Sequence, residues 1–187
     1  MEAIELNDHL EPVESSVIQE SMKFSFPYYY VSRQDAERID SFKKVSGDTD
    51  KALIGQYVRG WIGRNRSYYE QLARFDANAR GMVYKEWAQK VYYEGMDALP
   101  PIERQIEDVP PSPLRHVILP NVNELVRRQV SYIWLGAQNL VFLKVGIHYD
   151  RDNAINFISR IVKEHLARNW DALYASQVAA QDFENWV

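Results

Sequence analysis

The chain has 187 residues, of which 46% are hydrophobic and 26% charged, and a net charge of -4. That composition excludes a disordered chain, and no apolar run is long enough to span a bilayer. Cysteine is absent, which excludes disulfides, thiolate zinc sites and a cysteine nucleophile.

Residues 1–21 read as an acidic flexible tail. The first twenty positions hold six carboxylates and no Lys or Arg. No basic region followed by an apolar core marks a signal peptide, so a cytoplasmic location is expected. Residues 21–90 have the opposite balance, thirteen basic against eight acidic side chains, a net +5. A positive segment of this kind is the electrostatic footprint expected of a nucleic-acid contact, and it is also compatible with an ordinary solvated helix surface.

The segment from Lys23 to Val31 is rich in strand formers: Phe24, Phe26, Tyr28, Tyr29, Tyr30 and Val31. It has no strand partner nearby in sequence, so pairing with the same strand of a second chain is expected. Ser32 is placed to cap a first helix whose apolar residues are Ala36, Ile39, Phe42 and Val45. Gly47 stops that helix, and Asp48, Thr49 and Asp50 offer caps for the next. Leu53, Ile54, Val58, Trp61 and Ile62 form the second apolar stripe.

This order of strand, helix, glycine turn and helix resembles the ribbon-helix-helix DNA-binding family over Lys23 to about Arg64. The resemblance rests on Val31, Ile39, Phe42, Gly47, Thr49, Ile54, Val58 and Ile62. It implies a homodimer or higher oligomer whose paired strands enter the major groove of duplex DNA, with the start of the second helix on a phosphate. If Val31 faces inward, alternation turns Tyr28 and Tyr30 outward, and a bulge at Pro27 brings Lys23 and Ser25 to the same side. The candidate DNA-binding residues are therefore Lys23, Ser25, Tyr28, Tyr30, Arg33, Lys44, Thr49 and Lys51. Tyrosines at groove positions, and Asp48 and Asp50 at the phosphate turn, depart from the family pattern.

The second helix is expected to continue through Tyr68, Tyr69, Leu72 and Phe75 to a stop at 78–81, and a further helix to bury Val83, Trp87, Val91 and Tyr92. Residues 22–98 thus form one unit. Five of the eight prolines fall between Pro100 and Pro113, so residues 99–114 read as a semi-rigid acidic connector. Residues 115–187 are then a helical C-terminal domain. Asn121 and Glu124 suggest a capping box for a long helix through Leu125, Val126, Val130, Ile133, Leu140, Val141 and Leu143. Asp152 is the expected cap of a last helix, Ile155 to Tyr174. The fold class is therefore mainly α with one short intermolecular strand.

Matches at a spacing of 104 residues pair Asp48, Val58, Arg64 and Asn65 with Asp152, Val162, Arg168 and Asn169, and Arg59 with Lys163. They are sparse for a true repeat and read as coincidence between two amphipathic helices. No phosphate loop, zinc motif or other metal or cofactor site is evident. His148 beside Asp150 is the nearest approach to a metal or proton-transfer pair, and in a polar loop it reads as solvated. Arg160 and His165 resemble the Arg-x4-His motif of HEPN ribonucleases, although Ile161 departs from it and five helical steps set the two residues about 140° apart. The expected function is a dimeric DNA-binding transcriptional regulator rather than an enzyme. The alternatives are a helical adaptor or antitoxin-like protein, with a partner on the C-terminal helices, and the ribonuclease.

Overall fold

The computed structural model describes residues 22–103 and 109–186, and the acidic segment at 1–21 lies outside them. Strands β1 (Lys23–Ser25) and β2 (Tyr28–Ser32) lead into helices α1 (Arg33–Ser46), α2 (Asp50–Arg64), α3 (Arg66–Ala79) and α4 (Tyr84–Glu94). After the proline-rich stretch come β3 (Leu125–Gln129), β4 (Tyr132–Trp134), α5 (Ala137–Tyr149) and α6 (Ala154–Asn169). One π-helical turn, Trp170–Tyr174, joins α6 to α7 (Ala175–Trp186). The chain is mainly helical.

Local chemistry accounts for the first half. The Ser32 hydroxyl accepts the Asp35 N–H at 3.0 Å, and Gly47, at φ 72°, closes α1 through its N–H on the Lys43 carbonyl. Thr49 caps α2 by accepting from the Ala52 N–H at 3.2 Å. The expected continuous helix past Ile62 is broken at Asn65, which separates α2 from α3. Asp76, fully buried in α3, accepts from Arg80 Nε at 2.8 Å, Trp87 Nε1 at 2.7 Å and the Tyr149 hydroxyl. Three bonds to one carboxylate tie α3 to α4 and α5 in place of solvent. Lys144 of α5 donates to the last carbonyls of α4, Val91 and Tyr92, where a cation suits the helix end.

The second half corrects three expectations. Residues 121–136 are not helical: a single 3-10 turn at Val122–Glu124 precedes two strands, and α5 starts only after Gly136. The run carries apolar residues on both sides, so its spacing does not separate helix from strand, and pairing with a distant segment decides. The strands beginning at Lys23 therefore find their partners within the chain, not in a second copy. β1 pairs antiparallel with β4, Lys23 opposite Trp134, and β2 with β3, Tyr28 opposite Gln129. Nor does the chain divide at 99–114 into independent domains, because one continuous core joins Val31, Ile39, Ile54 and Val58 to Ile133, Leu143, Ile158 and Val162. Burying each such side chain contributes roughly 1.5–3 kcal/mol.

Both pairings share one register. Every partner pair is equidistant from a point lying between Phe26 and Pro27 on one strand and between Val130 and Ser131 on the other. At that point the Phe26 N–H donates to the Ser131 carbonyl and the Val130 N–H to the Pro27 carbonyl, both at 3.3 Å. These two bonds exchange when 104 is added to or subtracted from the residue numbers. The helices follow the same rule: α1 corresponds to α5 and α2 to α6, with α6 packed on β2 and α2 on β4. Asn153 caps α6, accepting the Asn156 N–H at 2.8 Å, as Thr49 caps α2; the sequence points one residue earlier, to Asp152. The sparse matches at 104 are therefore an architectural repeat. Two strand-helix-helix units face each other across an approximate twofold axis through a single ribbon.

Candidate nucleic-acid interface

The ribbon has an inner and an outer face. Phe26, Tyr29 and Val31 on one strand, and Val130 and Ile133 on the other, are buried beneath it. Two successive residues, Pro27 and Tyr28, stay out of the core, which shifts the alternation as a bulge does. Ser131 and Tyr132 repeat the shift 104 residues later. The outer face consequently carries Lys23, Ser25, Tyr28 and Tyr30 from one strand and Arg127, Gln129, Tyr132 and Trp134 from the other. Ser25, Arg127, Gln129 and Trp134 are exposed and the rest half-buried.

These side chains form the same cluster twice. At one end the Lys23 ammonium lies 4.4 Å from the Tyr132 ring centroid and 5.1 Å from that of Trp134. At the other, the Arg127 guanidinium lies 4.5 Å from the Tyr28 ring and 5.8 Å from the Tyr30 ring. The ring pairs meet edge to face, Tyr28 with Tyr30 at 5.3 Å and Tyr132 with Trp134 at 5.9 Å. A cation over an exposed ring gains only about 0.5–1 kcal/mol, so the charges are oriented without being consumed.

A groove flanks the ribbon on each side. Thr49, Lys51, Gln56, Arg59, Trp134 and Gly136 line one, of about 580 Å³. There Lys51 approaches the Tyr132 ring to 3.8 Å, and Arg59 donates to the Trp134 carbonyl. The opposite groove, of about 500 Å³, is lined by Tyr28, Tyr30, Asn153, Ile155 and Asn156 among others. Each groove thus lies between the ribbon and the start of the second helix of a unit. The outer edge of β2 is already engaged, since the Tyr30 N–H donates to the Ser159 hydroxyl of α6 at 2.8 Å.

Six of the eight candidate residues come together here: Lys23, Ser25, Tyr28, Tyr30, Thr49 and Lys51. Arg33, in the first turn of α1, and Lys44, in its last, are exposed on that helix and line neither groove. Asp50 does not leave an opposing charge at the α2 start. Arg128 bonds both its carboxylate oxygens, at 3.0 and 3.2 Å, and Lys43 lies 3.5 Å away. Arg128 also clasps Asp40 of α1 at 2.7 and 3.1 Å, and that hydrogen bond holds the Asp40 carboxyl below its usual range. Sequence reasoning missed Arg127, Gln129, Tyr132 and Trp134. The signal that finds them is the 104-residue spacing, which takes Lys23, Ser25, Tyr28 and Tyr30 onto these four.

The ribonuclease-like pair falls into two separate networks. Arg160 donates to the Leu114 and Val117 carbonyls and to Asp150 and Asp152, pinning the proline-rich stretch to α6. His165 is buried, stacked on Tyr57 at 3.8 Å and bonded to the Tyr174 hydroxyl at 2.8 Å. Burial, then the charges of Arg64 and Arg168, lower its pKa to about 4. Both residues have structural work. No helix among the described residues is long and apolar enough to cross a membrane, and no cluster of three metal-ligating side chains occurs among them. Comparison with known proteins gives no match to any family model, curated protein or solved structure.

Proposed function

We propose that the protein binds duplex DNA as a regulator, through the outer face of its ribbon. In this reading it is a single-chain counterpart of a ribbon-helix-helix dimer, with one chain supplying both strand-helix-helix units. The observation that carries it is the duplicated cation-aromatic cluster on an exposed two-stranded ribbon, set between two capped helix starts. A two-stranded ribbon fits the major groove, which is about 12 Å wide, and a twofold protein axis matches that of the duplex. Lys23 and Lys51 supply charge for the phosphates, and the free N–H groups at the starts of α2 and α6 supply donors. The outer rings contact thymine methyls, and their hydroxyls reach base edges.

The test is a fluorescence-anisotropy titration of a labelled duplex over a range of salt concentrations. Binding should weaken steeply as salt rises. Replacing Lys23 and Lys51 together by Ala should reduce the slope of log K against log salt by about two, with an unchanged melting temperature. Absence of binding at low salt, or a slope indifferent to both residues, would sink the proposal. A second, compatible reading concerns α7, whose Phe183 and Trp186 are 63% and 81% exposed. Paired apolar rings at that exposure favour a protein partner there. Pull-down efficiency that survives replacing both by Ser would refute it.

A further inference from the structure

The two units share a backbone plan but not a set of outer side chains. Resting on the duplex-DNA reading above, we infer that the target is a non-palindromic site, bound in one orientation. The Arg127–Gln129 end reads bases, and the Lys23–Lys51 end holds backbone. A homodimer presents identical residues to both half-sites and so selects symmetric sequences. Here three of the four equivalent outer pairs differ in chemistry, and only Tyr28 and Tyr132 are alike. Gln129 stands opposite in role to Ser25, Arg127 to Lys23, and Trp134 to Tyr30.

The Ser25–Gln129 and Lys23–Arg127 differences lean the same way. A Gln amide offers a donor and an acceptor together and pairs bidentately with adenine. A Ser hydroxyl serves any base with one bond. An Arg fork pairs bidentately with guanine, whereas a Lys ammonium is a point charge without that geometry. Arg127 and Gln129 are both exposed and lie two residues apart on the outer face of β3, beside Tyr28 and Tyr30. Their end of the ribbon is therefore equipped for base edges. Its flanking groove is lined by Asn153, Ile155 and Asn156 and has no cation in its lining. At the other end Lys23 lies over Tyr132 and Trp134 beside a groove lined by Lys51 and Arg59, so positive charge concentrates where base-reading groups are fewest. Lys51 corresponds to Ile155 under the same axis, so the flanks are unequal as well as the ribbon.

The experiment is selection of binding duplexes from a random pool by the full chain, followed by titration of the winning site. One defined arm flanked by a degenerate arm is expected. Gln129→Ser combined with Arg127→Lys should cost roughly 10- to 100-fold in preference for that arm over a scrambled one. The mirror variant, Ser25→Gln with Lys23→Arg, should add a second defined arm and turn the selected consensus towards a palindrome. A palindromic consensus for the unaltered chain would overturn the inference, as would an arm preference that survives Gln129→Ser with Arg127→Lys. Duplex binding with no enriched sequence would also overturn it, while leaving the DNA-binding reading intact. Failure to retain any duplex at low salt would overturn both.

Discussion

Arg151 holds φ at 51° at the position where, 104 residues earlier, Gly47 holds 72°. Among the described residues Arg151 alone takes positive φ without being glycine. Both end the first helix of a unit and turn the chain into the second. Gly47 does so without strain, whereas for Arg the left-handed region costs about 1–2 kcal/mol. The twofold plan thus dictates a backbone that one half adopts against its side chain.

Arg151→Gly is therefore expected to stabilise the protein, by up to about 1 kcal/mol once the greater unfolded-state freedom of glycine is subtracted. Gly47→Ala should have the opposite effect. A Cβ there meets nothing within 4 Å, so its cost is purely conformational. Urea unfolding of both variants checks the pair. A destabilised Arg151→Gly would mean that Arg151 makes a contact worth more than its strain.

Because the ribbon is completed within one chain, a folded monomer of about 21.9 kDa is expected at micromolar concentration, measured by light scattering. An obligate homodimer, expected from the first strand alone, loses its rationale once β3 and β4 are seen. Ser159→Ala offers a finer check. It removes the acceptor of the Tyr30 N–H, so that amide should exchange with solvent faster, and stability should fall by roughly 1–2 kcal/mol. Unchanged exchange at Tyr30 would show that this edge is guarded by something other than the hydroxyl.

Acid should weaken the fold partly through His165. Its pKa is about 4 in the folded chain against an ordinary 6.5, so the unfolded chain binds the proton more readily. Stability from this group is full above pH 6.5 and is lost as pH falls towards 4, by up to about 3 kcal/mol. In His165→Phe, which keeps a ring against Tyr57, unfolding free energy should depend less steeply on pH between 7 and 4.5. An equal slope in both proteins would exclude His165 as the source.

What the sequence made legible was local. Ser32, Gly47 and Thr49 act within four residues of themselves, and each does what its chemistry suggests. The outward turn of Lys23, Ser25, Tyr28 and Tyr30, with a shift at Pro27, was equally readable from alternation. The rest depended on segments a hundred residues away. Val126 and Ile133 belong to strands only because Val31 and Phe24 lie opposite them. The matches at 104 read as coincidence because the repeat preserves roles more than identities. Arg127 repeats the charge of Lys23, Asn153 the cap of Thr49, and Arg151 the turn of Gly47.

The ribbon's register also sets an order of events in time. Its paired residues are between 93 and 111 positions apart, from Ser32 with Leu125 to Lys23 with Trp134. Closing loops of that length costs roughly 4 kcal/mol of chain entropy before any strand bond forms, whereas each helix pair forms from neighbours. The surface proposed to bind DNA is accordingly expected to be the last part of the molecule to assemble during refolding. Its amides are also the first expected to open when the two units separate.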